Sequence, residues 1–89
     1  MSLKVIKFSA IWCAPCQMLA PVFESVELDF AGDVEFEHVD IDDESERASQ
    51  FGIRSVPTMV FVKDGRVVDS LVGLVKKDVI VNKINSLKE

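Results

Sequence analysis

The chain has 89 residues, of which 48% are hydrophobic and 28% charged, and its formal net charge is −5. That length and hydrophobic content fit one domain over residues 1–89 with a packed core, and exclude a disordered chain. The acidic balance argues against a nucleic-acid partner, which needs clustered Lys and Arg. No apolar window approaches the roughly 18 residues of a membrane helix, so no membrane partner is expected.

The opening MSLKVIKFSA is interrupted by Lys4 and Lys7. It therefore lacks the apolar run of a signal peptide, and a cytoplasmic setting is expected. Residues 3–10 are β-rich and mostly apolar, which predicts a buried strand. Residues 13–30 carry Leu19, Val22, Phe23, Val26 and Phe30 at three- and four-residue spacing, with Gly32 as a stop, which predicts a helix. Pro15 suits its first turn, while Pro21 removes an interior hydrogen bond and is expected to kink it.

Residues 33–41 alternate, with Val34, Phe36 and His38 on one face and Val39 and Ile41 on the other, as in a strand entering a core. Residues 42–52 read as a short helix with Asp42 or Asp43 as its N-cap and Gly52 as its stop. Asp64-Gly65 between TMVFV and VVDSLV is a strong hairpin signal. Residues 76–88 read as a last helix with Val79, Ile80, Ile84 and Leu87 on one stripe. The order β-α-β-α-β-β-α predicts an α/β fold. A parallel pair opens it, the hairpin adds antiparallel strands, and helices cover both faces of the mixed sheet.

The only two cysteines, Cys13 and Cys16, lie in WCAPC. Three chemistries compete for them. A zinc site wants four ligands, and the chain offers two cysteines and one distant histidine, so a metal would need ligands shared between chains. A structural staple across so short a loop gains little and would be opened in a reducing compartment. Redox exchange uses more of the local features. Cys13 at a helix N-terminus meets unpaired N–H groups and the positive helix end, which favour its thiolate, and Cys16 one turn on is placed to resolve a mixed disulfide.

WCAPC resembles the Trp-Cys-x-Pro-Cys site of the thioredoxin family, with Ala14 where glycine is usual. CQMLAP resembles the family's helix with its internal proline. FGIRSVPT resembles the segment whose Val-Pro bond, here Val56-Pro57, is cis beside the disulfide. FVKDGRVV resembles its hairpin, with Gly73 beside the substrate groove. The likeness spans essentially the whole chain. It implies a thioredoxin-like fold with a four-stranded mixed sheet, and a thiol–disulfide oxidoreductase that reduces protein disulfides. In that scheme Cys13 attacks, Cys16 resolves, and a thioredoxin-reductase-type donor returns the electrons. Trp12, Ala14, Pro15, Val56, Pro57 and Gly73 would frame the groove, and Ser55 and Val56 would offer backbone groups to an extended substrate. The redox-active Cys13–Cys16 pair replaces any cofactor, no metal is implied, and a monomer is expected.

Three departures stand out. The chain begins almost at the strand that the family places centrally, so the family's N-terminal strand and helix are expected to be missing. That leaves a bare edge or a smaller core, hence lower stability or an interface over that edge. Lys7 falls where the family has a buried aspartate that accepts a proton near the second cysteine, and His38 falls where the family has the partnering lysine. Lys7 and His38 are therefore candidate modulators of proton handling, by stabilising a thiolate electrostatically. Each also has a plainer reading, a snorkelling lysine and a packed histidine. Ser9 replaces a second tryptophan, which leaves Trp12 as the only Trp in a chain without Tyr.

Two other functions remain open from the sequence. A glutaredoxin-like, glutathione-dependent reductase usually carries Pro-Tyr between its cysteines, which this chain lacks. A redox-independent accessory binding subunit would use the exposed IWCAP surface and would not need the cysteines. The acidic run from Asp40 to Glu46 reads as a solvated helix start, Met18 and Met59 as core or groove-edge packing, and Arg54 as a loop anchor.

Overall fold

The computed structural model describes residues 2–88. The elements are β1 (Leu3–Ser9), α1 (Ala14–Asp29), β2 (Glu35–Asp40), α2 (Ser45–Gln50), β3 (Thr58–Lys63), β4 (Arg66–Val72) and α3 (Lys77–Lys88). The four strands form one sheet in the order β2-β1-β3-β4. β1 runs parallel to β2 and antiparallel to β3, and β3 pairs antiparallel with β4. The sheet is therefore mixed, as the element order predicts. No described helix is long and apolar enough to cross a membrane.

Alternation along the strands sends side chains to two cores. Leu3, Val5, Met59 and Phe61 meet Leu19, Phe23 and Val26 of α1 and Ile80 and Ile84 of α3. Ile6, Phe8, Val39 and Val60 face the other way, toward Ala48 of α2 with Ile41, Phe51 and Ile53. Helices thus cover both faces. Phe8, Phe23 and Phe61 are fully buried, and each such side chain contributes about 1.5–3 kcal/mol of transfer free energy.

The hairpin turn has positive φ at both central residues, Asp64 at 51° and Gly65 at 82°. That geometry matches the right-handed twist of the flanking strands and explains the Asp-Gly pair. Asp64 also ties the turn to the start of the chain, because its Oδ1 accepts the Ser2 N–H at 3.1 Å and its N–H donates to the Ser2 carbonyl at 3.0 Å. Lys77 clamps α3 to α1, donating to Ser25 Oγ at 2.6 Å and pairing with Asp29 at 2.7 Å.

Several local expectations need correction. α2 starts later than expected and its N-cap position is Glu44, with no capping side chain. Asp42 and Asp43 instead sit in the preceding turn, where Asp40 Oδ1 accepts both their N–H groups, at 2.8 and 3.3 Å. A side chain caps a helix only from the cap position, and here Asp40 holds Asp42 and Asp43 two residues and one residue before it. On α3 the buried stripe is Ile80 and Ile84, while Val79 is exposed. α1 ends at Asp29 with Phe30 as C-cap, and Pro21 lies inside it.

Candidate functional site

Cys13 is the N-cap of α1, with an extended backbone at φ −97° and ψ 108°. Its N–H donates to the Ala10 carbonyl at 3.2 Å, closing the turn that leaves β1. Gln17 Nε2 donates to the Ile11 carbonyl at 2.9 Å and pins the same turn from the helix side. Ala14 and Pro15 occupy the first helical positions, where a missing N–H costs nothing. The local sequence therefore folds so that Cys13 receives what a capping oxygen ordinarily would: the Cys16 N–H donates to Cys13 Sγ at 3.2 Å.

Cys13 and Cys16 form a disulfide with Cα atoms 5.2 Å apart. Both residues are only 4–5% exposed and pack with Ala10, Ile41 and Val56. Within this fold the pair is thus joined to itself and seated at a helix N-terminus. The unpaired amides and the helix dipole there favour a negative sulfur once the bond is reduced.

The opposite wall is the segment before β3. The Val56-Pro57 peptide bond is cis. The Val56 carbonyl oxygen lies 3.6 Å from Cys13 Sγ. Thr58 Oγ1 donates to the Ser55 carbonyl at 2.7 Å, and the Gly73 N–H donates to the Pro57 carbonyl at 2.8 Å. Gly73 has φ +88°, a conformation that L side chains rarely adopt. The structure therefore places Val56 against Cys13, and Gly73 against Pro57. Exposed apolar side chains surround this place: Ile11 and Trp12 on one side, Val72 and Leu74 flanking Gly73 on the other.

Trp12 is 66% exposed, and its Nε1 donates to Asp42 Oδ2 at 2.8 Å. Asp42 belongs to the site although the sequence suggested only a cap or a solvated run. The two residues lie 30 positions apart, so no local pattern joins them. Arg54, read as a loop anchor, is exposed and makes no hydrogen bond or ion pair among the described residues.

Lys7 and His38 are register partners on β1 and β2, so their side chains share the α1 face of the sheet. Lys7 is 6% exposed, with its Nζ 5.1 Å from the centroid of the Phe23 ring. Burial lowers its pKa from the ordinary 10.5, while the carboxylates of Glu27 and Glu24 on α1 oppose that shift. His38 packs edge-on against Phe23 with ring centroids 5.2 Å apart, and its Nε2 lies 2.8 Å from Glu27 Oε1. The structure thus joins Lys7 and His38 through Phe23 and Glu27. Neither Lys7 nor His38 makes a hydrogen bond to a cysteine among the described residues.

A family model for thioredoxin matches residues 1–86. Thioredoxin 2 of Chlorobaculum tepidum is 41% identical over 81 residues, which cover 91% of this chain and 74% of that protein. The thioredoxin of Chlamydia caviae is 46% identical over 83 residues, covering 93% and 80% of the two chains. Among solved structures, a single-site mutant thioredoxin from Halobacterium salinarum NRC-1 superposes with a TM-score of 0.91 at 38% identity. That match covers 99% of this chain and 76% of the other. A thioredoxin from Nicotiana alata gives 0.92 at 38% identity, covering 99% and 75%.

Proposed function

This chain belongs to the thioredoxin family, and as a thiol–disulfide oxidoreductase with a Cys13/Cys16 pair we propose that it works with a fixed division of labour between those two cysteines. Cys13 is the attacking thiol. The observation that carries this is the Cys16 N–H donated to Cys13 Sγ, at the N-cap of a helix whose dipole points its positive end at that sulfur.

In the reduced protein the Cys13 thiolate attacks one sulfur of a target disulfide. A bond forms between Cys13 and that sulfur, and the target's own S–S bond breaks. The departing sulfur leaves as a thiolate and takes up a proton. Cys16, losing its proton, then attacks Cys13 Sγ. The Cys13–Cys16 bond forms and the mixed disulfide breaks, so two electrons have passed to the target. A thioredoxin-reductase-type donor returns two electrons to the pair.

The target lies as an extended segment against Trp12, Ala14, Pro15, Val56, Pro57 and Gly73. The exposed apolar rim and the backbone of the Ser55–Val56 segment favour an extended peptide over a small thiol. We assign the protein to a reducing, cytoplasmic setting, where a pair cycling through its dithiol form is maintained.

The test is reduction of insulin disulfides with an electron donor present. Activity should vanish in Cys13→Ser and in Cys16→Ser. Reduction at the native rate by the double variant would instead support a binding subunit whose cysteines are dispensable.

A further inference from the structure

Among the described residues, Lys7 is the one charged side chain in the interior; Thr58 is the other buried polar residue. Among the described residues no carboxylate is buried alongside it. Lys7 lies on the strand that runs directly into the active-site turn, three residues before Ala10, whose carbonyl holds the Cys13 N–H. At about 3.3 Å per strand residue, that places the Lys7 and Ala10 backbones roughly 10 Å apart. The face of α1 that covers β1 buries Cys16, Leu19 and Phe23 in succession, and the Lys7 ammonium stands over the Phe23 ring. A cation thus sits beneath the same helix face that carries the resolving cysteine.

The groups that face Lys7 can be named from each packed element. α1 presents Glu24 and Glu27. β2 presents His38, the register partner, whose Nε2 lies against Glu27. β3 presents Met59, which carries no charge. The carboxylates therefore lie on the helix beyond Phe23, and the cysteines lie toward its start.

We propose that the buried ammonium of Lys7 is a positioning charge for the redox pair, which favours the dithiol form over the disulfide by lowering the cost of a thiolate, and that Glu27 tempers this charge from outside. The proposal rests on the thiol–disulfide chemistry assigned above. The argument is Coulombic. The disulfide is neutral, whereas its two-electron reduction yields two thiols, or one thiol and one thiolate when only one proton is taken up. A fixed cation favours only the second, charged product. At an effective dielectric near 20, and with the roughly 10 Å of strand between Lys7 and the active-site turn taken as the scale of the separation, one unit charge changes such an equilibrium by about tenfold, and the opposing Glu27 carboxylate reduces the net effect of the two charges to about fivefold.

The experiment is redox equilibration with glutathione, read as the fraction of Cys13–Cys16 dithiol by alkylation, in a neutral buffer of low ionic strength. Lys7→Met puts an uncharged side chain of similar length in its place and should lower the dithiol-to-disulfide ratio about tenfold, with a matching rise in the thiol titration midpoint. Lys7→Arg keeps the charge and should stay within about twofold of the unmodified protein. Glu27→Gln acts at the surface and should move the ratio the other way, by about twofold to threefold. This variant decides the matter if Lys7→Met does not fold. The proposal is overturned if Lys7→Met and Lys7→Arg shift the ratio alike, or if a folded Lys7→Met or Glu27→Gln leaves it unchanged. A pair that never equilibrates with glutathione, in any variant, would overturn the assigned chemistry itself and this inference with it.

Discussion

The indole N–H of Trp12 donates to Asp42 across 30 positions of sequence, at 2.8 Å, and so fastens the residue before the attacking cysteine to the loop between β2 and α2. Trp12 is largely exposed, so this hydrogen bond rather than burial sets where the indole stands on the active-site rim. Asp42→Ala releases it. Expected outcomes are a threefold to tenfold rise in KM for a protein disulfide substrate (about 0.5–1.5 kcal/mol of a lost hydrogen bond) and an unchanged fold. Steady-state insulin reduction, with Trp12 fluorescence as the local reporter, checks both.

Gly73 carries a different constraint. Its N–H is donated to the Pro57 carbonyl while its φ is +88°. An added Cβ would meet nothing within 4 Å, so the penalty of Gly73→Ala is conformational and not a clash. The expected loss is about 1–2 kcal/mol in urea unfolding. The new methyl group also stands where an extended target must approach, so KM should rise further than in Asp42→Ala. A Gly73→Ala protein of unchanged stability would contradict the conformational account.

Glu37 predicts the acid limb of stability. Arg47 donates two hydrogen bonds to its carboxylate and Lys4 adds an ion pair at 2.7 Å, and together they hold its pKa down at about 2 against an ordinary 4.5. A carboxyl with a depressed folded value stabilises the fold above its unfolded value and loses that contribution as pH falls through the folded one. The contribution is therefore complete above pH 4.5 and lost as pH falls toward about 2. Glu37→Gln should cost about 1 kcal/mol near neutrality, the scale of a partly exposed pair, and flatten the pH dependence in that window. Urea midpoints taken across the acid range test this.

Lys7 carries the opposite sign. Burial lowers its pKa below 10.5, so just below 10.5 the unfolded chain binds more protons than the folded one, and stability rises with pH there. At neutral pH the buried ammonium costs stability. Lys7→Met should accordingly raise the urea midpoint at pH 7, with the advantage shrinking as pH rises toward 10.5. A Met variant that is less stable at neutral pH would show that the Phe23 face and the two glutamates more than repay the burial.

The fold and the heart of the site were legible because their signals are local. WCAPC, the apolar face of residues 13–30 and Asp64-Gly65 each encode their geometry within a few residues, and resemblance joined Val56-Pro57 and Gly73 to them. The start of α2 was not legible, because Asp40 takes up the amides of Asp42 and Asp43 and leaves both acids outside the helix. The Trp12–Asp42 bond and the Lys7–Phe23–His38–Glu27 group were equally hidden. Each depends on how β1, β2 and α1 stack, and residue spacing does not record that register. Val79 fell outside the buried stripe for a similar reason. Where valine and isoleucine are adjacent, as at Val79 and Ile80 of α3, the period alone does not choose which of the two faces the sheet.

The division of labour between the two cysteines is tested most directly by trapping. With one cysteine removed, the other either holds a target as a mixed disulfide or does not. Cys16→Ser should accumulate a covalent complex with a disulfide-bonded protein substrate through Cys13, released by added thiol, whereas Cys13→Ser should accumulate none. Trapping through Cys16 in the Cys13→Ser protein, at a rate equal to that of the Cys16→Ser protein, would contradict the assignment of Cys13 as the attacking thiol.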